Sequence, residues 1–163
     1  MTEQDITGGL SQTLKPGSSI GSYVVQREIG RGGFGVVYEA RHKDPSLNWR
    51  VAVKELFPQA LVIRVNDTVI CTNPNIKPVF DRILDKFVET TAILHNLEHR
   101  NIVRVRDLER AHGTAYMVMD YVEGVNFLTW RRNLGRQPTP EEIRQIFEPI
   151  FQAIAYMHGK GLL

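Results

Sequence analysis

The run Gly30-Arg31-Gly32-Gly33-Phe34-Gly35-Val36-Val37 constrains this chain most. Glycine permits tight backbone reversals that other residues resist. Here the cluster lies between two β-forming runs, Tyr23-Val24-Val25-Gln26-Arg27-Glu28-Ile29 before it and Val36-Val37-Tyr38-Glu39-Ala40-Arg41 after it. The glycines are therefore predicted to form the turn of a β-hairpin. In a dinucleotide-binding fold, glycines at this spacing open a helix after a strand, and the strand signal that follows argues against that arrangement. A third strand is predicted from Arg50 to Leu56, with Val51-Ala52-Val53-Lys54 inside it.

A strand-turn-strand glycine loop suits a nucleotide phosphate. Glycine lets the backbone come close to the phosphate oxygens, and Phe34 at the tip would shield them from water. Lys54 would cross the apolar floor with its stem and reach phosphate oxygens with its ammonium. Each feature alone has a plainer explanation, an ordinary glycine-rich hairpin turn and a surface lysine at a strand end.

At 163 residues the chain can hold one domain with a real core, and 42% hydrophobic content supports a globular fold. A net charge of +2 favours no particular partner. No long basic run or aromatic-basic patch supports nucleic-acid binding. Cys71 is the only cysteine, so no internal disulfide or Cys/His metal cluster is expected. The first residues lack the apolar core of a signal peptide, and no apolar run approaches the roughly 18 residues that span a bilayer. A cytoplasmic protein with no membrane segment within this chain is expected.

Residues 1–18 are predicted to be a flexible lead-in. Phe57-Pro58 ends the third strand, and an extra hairpin at about 57–71 turns at Asn66-Asp67. From Val79 the apolar period becomes helical, with Phe80, Ile83, Leu84, Phe87, Ile93, Leu94 and Leu97 largely on one stripe. Ile102 to Leu108 and Thr114 to Tyr121 read as strands, and Asn126 to Asn133 as a short helix. Thr139-Pro140-Glu141-Glu142 offers a helix cap, a proline in the first turn and a glutamate at the third position. The helix it starts carries Ile143, Ile146, Phe147, Ile150, Phe151, Ile154 and Met157 on one face. Pro149 is expected to kink it or to loosen a turn.

Taken together, these segments resemble a protein kinase amino-terminal lobe of the bacterial serine/threonine kinase type. Gly30-x-Gly32-x-Phe34-Gly35-x-Val37 resembles the glycine-rich loop, and Val51-Ala52-Val53-Lys54 the strand bearing the ATP-contacting lysine. Leu97-Glu98-His99-Arg100-Asn101-Ile102-Val103 is similar to the turn after helix αC. Tyr116 to Gly124 resembles the fifth strand and hinge, and Tyr156 to Leu163 the end of helix αE. The extra hairpin is similar to an insertion in some bacterial members.

The resemblance implies an α+β fold, a five-stranded antiparallel sheet with helix αC over residues 19–124, then helices αD and αE over 125–163. It implies ATP contact by Gly30, Gly32, Gly33, Phe34, Gly35, Val37, Ala52 and Lys54. Met119 would be the gatekeeper, Asp120 and Val122 would offer backbone hydrogen bonds to adenine, and Asn126 would meet the ribose. A catalytic glutamate on helix αC would pair with Lys54. Counting back from His99 places Thr90 at its usual position, with Glu89 one residue earlier. That shift turns a side chain by about 100° on a helix, so either Glu89 pairs with Lys54 through a local bulge or the lysine is held otherwise.

The His-Arg-Asp and Asp-Phe-Gly motifs that supply the catalytic Asp and the metal-binding groups do not occur in these residues. The chain alone is expected to be inactive, with Mg2+ bound only in company with the missing lobe. Two readings differ in class. One is the ATP-binding part of a kinase acting on a protein substrate. The other is a short pseudokinase serving as a nucleotide-sensing or interaction module. The Ile143 to Met157 face is expected to self-associate or meet a partner.

Overall fold

The computed structural model describes residues 12–162. It divides into two compact units, residues 12–96 with 105–121, and residues 97–104 with 122–162.

In the first unit the β-rich runs form strands β1 (Ser19–Ile20), β2 (Tyr23–Gly32), β3 (Gly35–His42), β4 (Arg50–Leu56), β5 (Val62–Val65), β6 (Thr68–Cys71), β7 (Val105–Ala111) and β8 (Thr114–Asp120), with helix α1 (Lys77–His95) between β6 and β7. Six strands make one antiparallel sheet in the order β1-β2-β3-β4-β8-β7, while β5 and β6 form a separate hairpin. The sheet thus gains one strand over the expected five, the two-residue β1 at its edge.

Strand β4 lies between β3 and β8. Lys54 stands opposite Val37 and Met117, and Glu55 opposite Val36 and Tyr116. Opposite residues share a face and successive residues alternate. One face therefore carries Val37, Ala52, Lys54, Met117 and Met119. The other carries Val36, Tyr38, Val53, Glu55, Tyr116 and Val118, all completely enclosed.

The extra hairpin supplies Val62 and Val69 to the core, and the leading segment supplies Leu14 and Ile20. Each such side chain contributes about 1.5–3 kcal/mol on burial. The predicted flexible lead-in is therefore too long. Leu14 is buried and donates its N–H to Tyr38 Oη at 3.1 Å, and Gly17 N–H donates to the Val25 carbonyl at 2.8 Å. Residues 1–11 of that lead-in lie outside the described residues.

Helix α1 begins at Lys77, ahead of the expected Val79, after a single 3-10 turn capped by Asn73. Strand β7 begins at Val105 rather than Ile102. The Ile102 N–H donates to the His99 carbonyl at 3.0 Å and Asn101 N–H to His99 Nδ1 at 3.2 Å. That local turn overrides the β-branched pair Ile102-Val103.

The second unit holds helices α2 (Phe127–Asn133) and α3 (Pro140–Gly159). Thr139 and Glu142 form the expected capping box. Helix α3 runs on through Pro149, whose carbonyl accepts from Asn101 Nδ2 at 3.0 Å. Within α3 only Ala153 is buried among the described residues, and Phe151 is 63% exposed. No helix among the described residues is long and apolar enough to cross a membrane.

Candidate functional site

The glycine run closes the β2–β3 hairpin in a two-residue turn at Gly33-Phe34, with Gly32 opposite Gly35. The turn is laced to the chain just after β4. Phe57 N–H donates to the Phe34 carbonyl at 3.0 Å, Gln59 N–H to the Gly33 carbonyl at 3.3 Å, and Gln59 Nε2 to the Gly32 carbonyl at 3.2 Å. At Gly35 a Cβ would lie 2.2 Å from the Glu55 carbonyl oxygen, so only glycine fits where β3 meets β4. Phe34 at the tip is 72% exposed.

Beside this hairpin, within the first unit, lies a cavity of about 720 Å³. Its sheet side is built by Lys54, Leu56, Met117 and Met119. Phe34 reaches it from the hairpin, and α1 adds Ile83, Phe87 and Thr90. The lining is mostly apolar, with the cationic side chains of Lys54, Arg82 and Lys86. Such a site offers a flat apolar group a sheltered surface and an anion a cation at its edge.

Lys54 is exposed. Among the described residues no carboxylate pairs with it. Glu89 is not its partner. Its carboxylate binds Lys86 Nζ at 2.9 Å, with both side chains well exposed. Thr90 is the one that lines the cavity. Helix α1 is continuous, no local bulge brings Glu89 to Lys54, and the one-residue offset leaves Glu89 out of the cavity lining that Thr90 joins.

Val37 and Ala52 share the Lys54 face, and Ala52 stands opposite Met119. The Asp120 carboxylate is engaged by the Arg106 guanidinium, which also lies 4.8 Å over the Trp49 ring. Val122 and Asn126 belong to the second unit. Asn126 caps α2, its Oδ1 accepting from Thr129 N–H at 2.8 Å. Among the described residues no group of three or more His, Cys, Asp or Glu gathers to hold a metal ion.

The opposite face of β4 carries a buried polar cluster. Glu55 accepts from Tyr38 Oη at 2.8 Å, Tyr116 Oη at 2.8 Å and Arg64 Nη2 at 2.6 Å. Burial, then the Glu55 charge, pushes both tyrosine hydroxyls above their ordinary range. Burial is the largest single influence and works against the Arg64 charge. The Glu55 hydrogen bond and the Glu55 charge, with smaller contributions from Tyr38 and Tyr116, together outweigh it, and the guanidinium is held more firmly protonated. Because Tyr116 donates to Glu55, its oxygen accepts from His112 Nδ1 at 2.9 Å, which fixes a proton on that nitrogen.

Sequence reasoning missed Leu56 and Met117 as lining residues. Both are two positions from a residue it assigned, on the same face, so strand alternation could have found them. The Glu55–Arg64 pair carried no such signal.

The protein kinase domain family matches residues 23–163, and the chain belongs to that family. It is 27% identical over 147 residues to CBL-interacting protein kinase 21 of Oryza sativa subsp. japonica, covering 90% of this chain and 24% of that protein. With the serine/threonine-protein kinase PknF of Mycobacterium tuberculosis it shares 28% identity over 151 residues, covering 92% of this chain and 28% of that one. The solved structure of PpkA-294 in its apo form superposes with a TM-score of 0.86 at 28% identity, covering 94% of this chain and 54% of that chain. The chain therefore spans about a quarter of these two curated kinases and about half of the solved one. The family as a whole uses ATP with Mg2+.

Proposed function

We propose that this chain is the ATP-binding portion of a serine/threonine protein kinase, a phosphotransferase that in complete form moves the ATP γ-phosphate to protein Ser and Thr hydroxyls. The observation that carries this reading is the gathering of Lys54, Met119 and the glycine-hairpin tip Phe34 around one cavity. In this reading Gly30, Gly32, Gly33 and Gly35 let the hairpin approach the phosphates, and Lys54 neutralises them. Val37 and Ala52 hold the adenine, Met119 closes the back, and the backbone of Asp120 and Val122 meets the adenine edge. Asn126 Oδ1 is committed to its helix cap, which leaves the amide nitrogen for a ribose hydroxyl. The 163 residues contain neither His-Arg-Asp nor Asp-Phe-Gly, so they bind nucleotide without transferring phosphate, and Mg2+ enters with those motifs.

The test is calorimetric titration of the protein with ADP. Micromolar binding is expected, lost at least roughly tenfold in Lys54→Met, since a charge-assisted phosphate contact is worth about 1.5–3 kcal/mol. Binding that is absent, or indifferent to Lys54, contradicts the proposal.

A second reading, a pseudokinase that senses nucleotide or docks on another protein, is favoured by one observation. Glu89 is occupied by Lys86 and Thr90 faces the cavity. Nucleotide binding by the complete protein without protein phosphorylation would select it. In either reading the half-open apolar face of α3, with Ile150, Phe151 and Ile154 exposed, takes a second copy or a partner as its cover.

A further inference from the structure

Lys54 lacks the helix carboxylate that would orient it, so its position depends on the strand that bears it. The structure shows how that strand is held. Glu55, the next residue, points to the opposite face, is completely buried and is gripped by Tyr38, Tyr116 and Arg64. Arg64 comes from the extra β5–β6 hairpin. Its Nη1 donates to the Asp67 carbonyl at 2.7 Å, while its Nε is buried without a partner. A buried ion pair adds little net stability over an apolar pair of the same shape. It does fix geometry, because either charge is costly to leave alone.

The same stretch of chain holds the glycine hairpin. Between Glu55 and Arg64, the N–H groups of Phe57 and Gln59 bind the carbonyls of Phe34 and Gly33. The far side of the β5–β6 hairpin is fixed as well. Val69 N–H donates to the His112 carbonyl at 2.7 Å, and a Cβ on Gly113 would lie 2.6 Å from the Val69 carbonyl oxygen.

We infer that Arg64 is a positioning residue for Lys54, and that the β5–β6 hairpin, through Arg64 and Glu55, braces the lysine strand from the opposite face of the sheet. Arg64 touches no nucleotide in this scheme. It acts through Glu55, and a support of this kind is what keeps a binding constellation within its productive geometry. The inference rests on the nucleotide reading proposed above.

The experiment compares ADP with adenosine, which lacks phosphates, in wild type, Arg64→Met and Lys54→Met. Arg64→Met is expected to weaken ADP by roughly tenfold, the size of coupling between contacting groups, and to leave adenosine unchanged. In a Lys54→Met background the Arg64 substitution is expected to have no further effect on ADP. If Arg64→Met does not fold, the double variant Glu55→Gln with Arg64→Met removes both buried charges and takes its place with the same expectation. Equal losses for both ligands would mean a general structural role and overturn the inference. So would unchanged ADP affinity, or a loss that persists without Lys54. A wild-type protein that binds adenosine and ADP yet ignores Arg64 overturns the inference alone. One that binds neither overturns the nucleotide reading and the inference with it.

Discussion

Glu89 and Thr90 differ by one position and by about 100° around helix α1, and the lysine's surroundings turn on that difference. Glu89 is spent on Lys86 in an exposed pair, a type worth about 0–1 kcal/mol. Glu89→Gln is therefore expected to shift stability by less than about 1 kcal/mol and to leave ADP affinity unchanged, as read by thermal unfolding and calorimetry. A large loss of nucleotide affinity would show that the carboxylate reaches Lys54 after all. The residues whose chemistry follows from local pattern were legible in the sequence. The glycines fall in a turn between β-branched runs, and Lys54 falls at a fixed place on an apolar strand. Glu55 was not legible, because what makes it important is Arg64, a residue on another hairpin. A buried charge pair between separate elements leaves no periodicity in either one.

At the scale of elements, strand and helix periods located β2, β3, β4, β8, α1 and α3, and the Asn66-Asp67 turn located the extra hairpin. Boundaries failed where local hydrogen bonds competed with propensity, as at His99 to Arg104, or where a short edge strand had too few residues to show a pattern, as at β1. The docking of the extra hairpin was also hidden, and one glycine reports it. Gly113 sits at φ +73° with the Val69 carbonyl in the space a Cβ would take. Gly113→Ala is expected to cost roughly 1–3 kcal/mol, measured by chemical denaturation. An unchanged midpoint would mean that the hairpin does not bear on the β7–β8 turn.

Helix α3 gives a pH dependence of stated sign. The Arg136 hydrogen bond, followed by the Thr139 N–H, holds Glu142 at about 2, against an ordinary 4.5. The folded value lies below the unfolded one, so the contribution is complete above 4.5 and is lost as pH falls toward 2. Amide exchange at the start of α3 should accelerate over that window. Exchange that stays flat through it would mean that the capping box does not depend on the charge.

For the molecule as a whole, the two units have different grounds. The first encloses the core and the cavity between the sheet and α1. The second rests on the capped helices α2 and α3, with much of the α3 apolar face open to solvent. The family match and the PpkA-294 superposition fix the fold, and the cavity with Lys54 at its edge carries the functional reading. The chemistry of that lysine can be read directly. An acyl-phosphate derivative of ATP places a reactive carbonyl where a phosphate-gripping amine must stand, and mass spectrometry locates the acylated residue. Acylation is expected at Lys54, and excess ATP is expected to suppress it. Acylation spread over the exposed lysines, or at Lys54 but indifferent to ATP, would contradict it.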